Sequence, residues 1–403
     1  MTRPVRSIAV IFVALFASTL AAAGRYTYPT AAVAADHELA SQAGVEILHG
    51  GGNAVDAAVA TSFALSVVRP FSCGIGGGGF MVIYLPDDPK RGRVETAINY
   101  RETCPSGVGP ETFVDLPPEA SREGGLAVGV PGTVAGLLHA LERYGTMERT
   151  EVLEPAIRIA RAGYERDAAH REALEVLEGR GGPLPIEPQA RALERIAELG
   201  RAGFYEGPVA EAVIRAVQKA GGVMTLEDLA GYEPRETEPL RFEFRGRTIL
   251  GMPPPSSGGV AIAQIFGFLE RVEYGDDGDL LTSALGLHAL TEAFKHAFAE
   301  RAAGLGDAAF VDVPVMEMLS DERIGKMAGA FEPVRTLKTE AYGDAGEPVE
   351  RGGTSHFSIV DRWGGAVACT ETINTHFGSL VRVEPFGFFL NNEMNDFTTR
   401  PGE

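Results

Sequence analysis

Cysteine is scarce in this chain: Cys73, Cys104 and Cys369 are all it has among 403 residues, too few for a disulfide framework and at no spacing that makes a metal cluster. Positive charge is scarce as well. Against 55 acidic residues stand 36 lysines and arginines, a net charge of −19 with no basic stripe along the chain, which excludes nucleic acid as a partner. The acidic excess instead favours solubility. Apolar runs long enough to span a bilayer are absent after the first two dozen residues, and there are no internal repeats. Length alone suggests two or three domains, but the composition fits one large α/β unit in which "MPPPSSGG" is a local loop, not a linker.

What is present begins with a leader. Residues 1–24 carry Arg3 and Arg6, the apolar "SIAVIFVALFASTLAAA" and the small residues Ala21 to Ala23, the pattern of a secretory signal peptide. Its apolar run is short and alanine-rich for a transmembrane helix. The expected location is therefore periplasmic or extracellular, with a retained membrane anchor as the alternative. Buried thiols are the expected state of the cysteines; a Cys73–Cys104 bridge in an oxidising compartment is the other reading.

"HELASQAGVEILHGG" and "NAVDAAVATSFALSVV" read as consecutive helices, glycines ending the first and Asn53 capping the second. Helical periodicity recurs in "EPAIRIARAGY", "PVAEAVIRAVQKA" and "LGLHALTEAFKHAFAERA", while strands are expected at "FMVIYL" and "RFEFRGRTILG".

The chemistry concentrates at Gly353-Thr354. A threonine is a weak nucleophile in mid-chain, but one that becomes an N-terminus gains its own α-amino group as base. Gly352 and Gly353 let a carbonyl bend toward the following hydroxyl at little steric cost. The acidic, Gly- and Pro-containing "TEAYGDAGEPVERGG" ahead of the bond reads as an exposed, cleavable loop. Beyond it, Ser355, Phe357 and Ile359 alternate with His356, Ser358 and Val360 as in a half-buried strand; Asp361, Gly364 and Gly365 mark a turn, and "AVACTET" follows as a second strand. A hairpin centred on Trp363 places Thr372 opposite Thr354, and a slip of one residue would turn another face inward.

Three other patterns carry less. "GIGGGG" contains GxGxxG at Gly74, Gly76 and Gly79, but a helix precedes it and a strand follows, the reverse of a dinucleotide site. His288, Glu292 and His296 share one helix face at i, i+4, i+8; with Leu287, Leu290 and Phe294 beside them as the core stripe, they read as a polar flank, not as metal ligands. Ser256 and Ser257 lack a nucleophile elbow and read as a turn.

Taken together, "HELASQAGVEILHGGGNAVDAAVA", "GIGGGGFMVIY", "RETCP", "AVGVPGTVAGL", "LEPAIRIA", "TLEDLAGY", "PPPSSGG", "LGD" and the region from Thr354 to "LNNEMNDF" resemble the γ-glutamyltranspeptidases (γ-glutamyltransferases, glutathione hydrolases) of the N-terminal-nucleophile hydrolase superfamily. The resemblance implies an α/β fold, a four-layer αββα sandwich of two stacked sheets between helix layers. It implies autocatalytic cleavage at Gly353-Thr354, residues 25–353 forming a large subunit and residues 354–403 the start of a small one. By the same resemblance Thr354 is the nucleophile and Thr372 orients its amino group. Arg101 binds the α-carboxylate of the γ-glutamyl group, and Asn374, Glu393 and Asp396 receive its α-amino end. Asn391 and Asn392 beside them read as turn residues bonded to their own backbone. Glutathione and related γ-glutamyl compounds are the expected donors and water, amino acids or peptides the acceptors, with no cofactor. The family's small subunit continues through a "PLSSMSP"-like motif and a Gly-Gly oxyanion hole that this sequence does not contain. The expectation is therefore a truncated chain with weak or no activity by itself. An inactive or uncleaved family member, and a glutaryl or cephalosporin-type acylase with the same nucleophile, stand as alternatives.

Overall fold

Asn53 caps the helix around which the core is built. The computed structural model describes residues 30–180, 182–183, 185–275, 280–343 and 352–397; the leader, most of the acidic loop ahead of Thr354 and the last six residues lie outside them. Helix α1 spans Glu38–His49 and α2 spans Ala54–Val68. The Asn53 side chain accepts from the Val55 and Asp56 amides while the Asp56 carboxylate takes the Asn53 amide, a reciprocal capping box. Every residue of α2 is buried, so it runs through the centre and not over the surface. Helices α3 (Thr133–Tyr144), α4 (Arg149–Ala162), α5 (Glu187–Leu199) and α6 (Gly207–Lys219) extend this layer.

The main sheet has six antiparallel strands in the order β1, β7, β8, β2, β3, β4. They are β1 Ala32–Ala34, β2 Gly78–Asp88, β3 Gly92–Asn99, β4 Arg235–Thr237, β7 Gly352–Val360 and β8 Ala366–Thr375. On one face, Ser355, Phe357, Ile359, Val367, Cys369, Met81 and Ile83 are buried against the helices. On the other, His356, Ser358 and Val360 are exposed among the described residues, and Thr354 begins that series. This is one sheet and one helix layer of the αββα sandwich. The glycine run enters β2 directly: side chains at Gly76, Gly77 or Gly79 would strike the carbonyl oxygens of Phe389, Thr372 and Thr370, so these glycines serve close backbone packing.

A second core joins the hairpin of β5 (Leu240–Phe244) and β6 (Arg247–Gly251) to helices α7 (Gly258–Leu269), α8 (Ala284–Gly304) and α9 (Asp321–Gly329). Phe244 stacks on Phe266 at 4.1 Å between centroids. Ser256 and Ser257 form the turn before α7, Ser256 Oγ accepting from the Gly258 amide.

Two expectations are corrected here. Helix α8 is turned over: Glu292 and His296 are buried, while Leu287 and Phe294 are 48% and 44% exposed. The reason is size and charge together. Ala289, Ala293 and Ala297 form the small-residue stripe that packs against α7, and Glu292 is satisfied inside by Lys295, Thr336 and Tyr342. His288 instead meets the Glu332 carbonyl at 2.9 Å, and among the described residues no His, Cys, Asp and Glu group is arranged to hold a metal. The cysteines are all free: Cys73 and Cys369 are buried, but Cys104 is exposed. Burial pushes the Cys73 thiol up to about 12. Neither three buried thiols nor a Cys73–Cys104 bridge is found.

Candidate active site

The hairpin of β7 and β8 is held at both ends. At its turn, the Asp361 carboxylate accepts from the Trp363 and Gly365 amides and, with its other oxygen, from the Ala54 amide at 2.9 Å, which ties the turn to the start of α2. Along the ladder, Thr354 pairs directly with Thr372, as the centring on Trp363 requires. At the far end the register breaks. Gly352 pairs with Thr375, so Ile373 and Asn374 together face the single residue Gly353, and Asn374 takes up the extra length at φ 73°.

The break falls at the Gly353-Thr354 bond. The Thr372 hydroxyl donates to the Gly353 carbonyl oxygen at 2.9 Å and accepts from the Thr354 hydroxyl at 3.1 Å and from the Asn374 amide at 2.8 Å. A hydroxyl has one proton to give and two lone pairs to fill; all three are used. Thr372 is thus locked in one orientation, with its proton aimed at the carbonyl preceding Thr354.

Arg101 follows the end of β3, where its amide donates to Asn99 Oδ1 and its carbonyl accepts from the Tyr232 hydroxyl. Its guanidinium pairs with Glu393, lies 3.6 Å from Asp396 and 3.8 Å from Glu102, and sits over the Phe80 ring. The Asn374 side-chain amide donates to Asp396 at 3.3 Å and to the Asn392 carbonyl at 3.2 Å. A continuous path of contacts therefore runs from the Thr354 hydroxyl through Thr372, Asn374 and Asp396 to Arg101, so the structure brings together every residue singled out from the sequence. One guanidinium thus stands among three acidic side chains. That pattern suits a zwitterion, whose carboxylate needs the arginine and whose ammonium needs the acids.

The turn carrying Glu393 and Asp396 is stapled from both sides: the local turn bond expected of Asn391 is present, from the Glu393 amide to its side-chain oxygen, but both asparagines reach well beyond the turn. Asn391 is fully buried; its side-chain amide donates to the carbonyls of Gly76 and Gly129, and its oxygen accepts from the Gly129 and Glu393 amides. Asn392 bonds Arg122 and Thr375. Each asparagine side chain joins segments far apart in the sequence, which no local pattern could reveal.

Other residues escaped the sequence reading. Glu102, beside Arg101 in "RETCP", is buried with neither carboxylate oxygen hydrogen-bonded, and burial lifts its pKa to about 7 against the pull of Arg101. On the inward face of β8, Glu371 is buried, with the Ser62 hydroxyl within hydrogen-bonding distance of both its oxygens and the Tyr100 hydroxyl donating to it at 3.0 Å. Burial raises it too to about 7. A signal for Glu371 was available: strand alternation puts it on the inward face with Cys369. His376, whose ring stands against Gly353, had none.

Comparison with known proteins gives a consistent picture. The family model described as gamma-glutamyltranspeptidase matches residues 40–180 and 178–403. The glutathione hydrolase proenzyme of Pseudomonas sp. (strain A14) is 38% identical over 395 residues, which is 92% of this chain and 67% of that protein. The crystal structure of Helicobacter pylori gamma-glutamyltranspeptidase superposes with a TM-score of 0.71 at 34% identity, covering 78% of this chain and 95% of that one. Cephalosporin acylase from Bacillus halodurans superposes with a TM-score of 0.78 at 26% identity, covering 94% and 74%.

Proposed function

This chain belongs to the gamma-glutamyltranspeptidase family, and from that premise we propose that it is the precursor of a γ-glutamyltransferase and glutathione hydrolase that cleaves itself at Gly353-Thr354. The observation that carries the reading is the Thr372 hydroxyl, bonded at once to the Thr354 hydroxyl and to the Gly353 carbonyl oxygen. In self-cleavage the Thr354 hydroxyl adds to the Gly353 carbonyl carbon, and the oxygen that gains negative charge already has a donor in place. The C–N bond breaks, the Thr354 nitrogen takes the proton, and the resulting ester is hydrolysed. Residues 25–353 then form a large subunit, and a small one begins at Thr354.

In turnover the freed α-amino group serves as base for the Thr354 hydroxyl. The hydroxyl attacks the γ-amide carbonyl of glutathione or a related compound, the amine leaves, and a γ-glutamyl ester forms; water or the amino group of an amino acid or peptide then accepts the acyl group. Arg101 holds the donor's α-carboxylate, and Glu393 with Asp396, positioned through Asn374, takes its α-ammonium. The leader pattern at residues 1–24 supports export to the periplasm or beyond.

The acylase reading rests on the shape shared with the cephalosporin acylase. The guanidinium ringed by carboxylates favours an amino acid head group instead. Intact mass under denaturing conditions tests the proposal: two pieces divided between Gly353 and Thr354 are expected, and an uncut chain would overturn it. Release of the amine from a γ-glutamyl anilide, with none from a glutaryl anilide, separates the transpeptidase from the acylase.

A further inference from the structure

We propose that His376 is a catalytic residue of self-cleavage, the general base that activates the water hydrolysing the Gly353 ester. The inference rests on the cleavage reading above. It starts from a contact: a Cβ built on Gly353 would stand 3.0 Å from the His376 ring carbon Cδ2 and 2.8 Å from Ser72 Cα. The imidazole edge therefore lies against the residue that carries the scissile carbonyl.

Its placement is enforced from both flanks. The Ile373 amide donates to the Ser72 carbonyl at 3.1 Å and the Phe377 amide to the Phe71 carbonyl at 3.0 Å. Asn392 grips Thr375 by amide and hydroxyl. Asn374 and Phe377 both hold left-handed backbone conformations, at φ 73° and 60°, which non-glycine residues keep only where their surroundings demand it. The Phe71 ring meets the imidazole edge-on at 5.7 Å. Among the described residues no group exchanges a hydrogen bond with the ring nitrogens, and the side chain is half-buried.

Among the described residues, the carboxylates nearest this bond are already engaged, Glu393 by Arg101 and Asp396 by Arg101 and Asn374. Around the scissile bond, Thr354, Thr372 and Asn374 offer hydroxyls and an amide, and the Thr372 hydroxyl is already saturated. In the proposed step the imidazole takes a proton from water as the water oxygen bonds to the Gly353 carbonyl carbon. The carbon–Oγ bond to Thr354 breaks, and the imidazolium returns the proton to Oγ. The products are the Gly353 carboxyl group and a Thr354 with free hydroxyl and amine, with no other reactant consumed.

The experiment follows cleavage of the full chain by denaturing mass spectrometry for the unaltered protein, His376→Ala, His376→Gln and Thr354→Ala, with thermal melts showing which variants fold. General-base catalysis contributes about 10²–10⁴-fold. We expect folded His376→Ala and His376→Gln to cleave at least tenfold more slowly, to accumulate an ester that hydroxylamine splits to a Gly353 hydroxamate, and to recover speed in added imidazole. Unchanged cleavage in either folded variant overturns the inference and leaves the cleavage reading standing. Slow cleavage with neither ester nor imidazole rescue assigns His376 a purely structural part and also overturns it. An unaltered protein that never cleaves removes the parent reading first.

Discussion

Thr354 and Thr372 face each other across an antiparallel ladder with their hydroxyls 3.1 Å apart, and the second reaches past the first to the carbonyl just upstream of it. One side chain thus touches both the hydroxyl that attacks in the proposed self-cleavage and the oxygen that would take the charge.

Replacing Thr372 by Val keeps the shape and removes these two contacts together with the bond from the Asn374 amide. Losing one donor to a developing oxyanion slows acyl transfer on the order of 10²–10³-fold, so Thr372→Val is expected to slow appearance of the two fragments by about that factor. Thr372→Ser should retain most of the rate. Time-resolved intact mass gives the answer, and equal rates for Val and the unaltered protein would remove Thr372 from the chemistry.

Arg101 is expected to act on binding and stability together. In Arg101→Ala the buried Glu393 loses its partner, and breaking such a pair costs about 3–5 kcal/mol; the melting temperature should fall. Arg101→Lys restores charge without the two-pronged fork, so KM for a γ-glutamyl substrate should rise well above that of the unaltered protein while much of the stability returns. An unchanged KM in the lysine variant would point to the acylase alternative.

The two raised carboxyls predict a pH dependence of stability. Glu102 and Glu371 move from 4.5 to about 7 on burial, so the folded chain holds their protons more tightly than the unfolded one. Their contribution is complete below pH 4.5 and is lost as pH climbs through 7, each carboxyl giving up about 1.4 kcal/mol per pH unit across that window. Glu371→Gln, which cannot ionise, should match the unaltered protein in urea unfolding near pH 4 and exceed it at pH 8. Equal midpoints at both pH values would show that Glu371 is not neutral in the core.

Helix α8 offers a test of burial against polarity. Glu292→Ala strands Lys295, Thr336 and Tyr342 around a lost acceptor and should cost about 1–3 kcal/mol. Phe294→Gln, at an exposed position, should stay within about 0.5 kcal/mol. Chemical denaturation of both variants would distinguish this orientation from the one that the apolar pattern suggests.

Much of the site was legible because it is local. The centre of a hairpin fixes its register, so a turn near Trp363 was enough to set Thr372 opposite Thr354. Asn53, just ahead of an apolar helical run, announced a helix start. The outward and inward faces of β7 followed from alternation, since successive strand residues point to opposite sides. For Arg101, Glu393 and Asp396 the residues themselves were ambiguous, and only the family motifs raised them above surface charge.

What the chain settled by itself, then, is what depends on neighbours in sequence: helix caps, strand alternation, the hairpin and the Gly-Thr bond at its edge. Tertiary structure decided what depends on packing between distant segments. It turned α8 so that alanines meet α7 and a satisfied glutamate goes inside. It placed Asn391 between Gly76 and Gly129, and brought Glu393 to Arg101 from a distant part of the sequence. It laid the His376 ring on Gly353 through a register break that no periodicity encodes. Hydrophobic periodicity records which face of one element is oily; which face is covered depends on the size and charge of whatever lies against it.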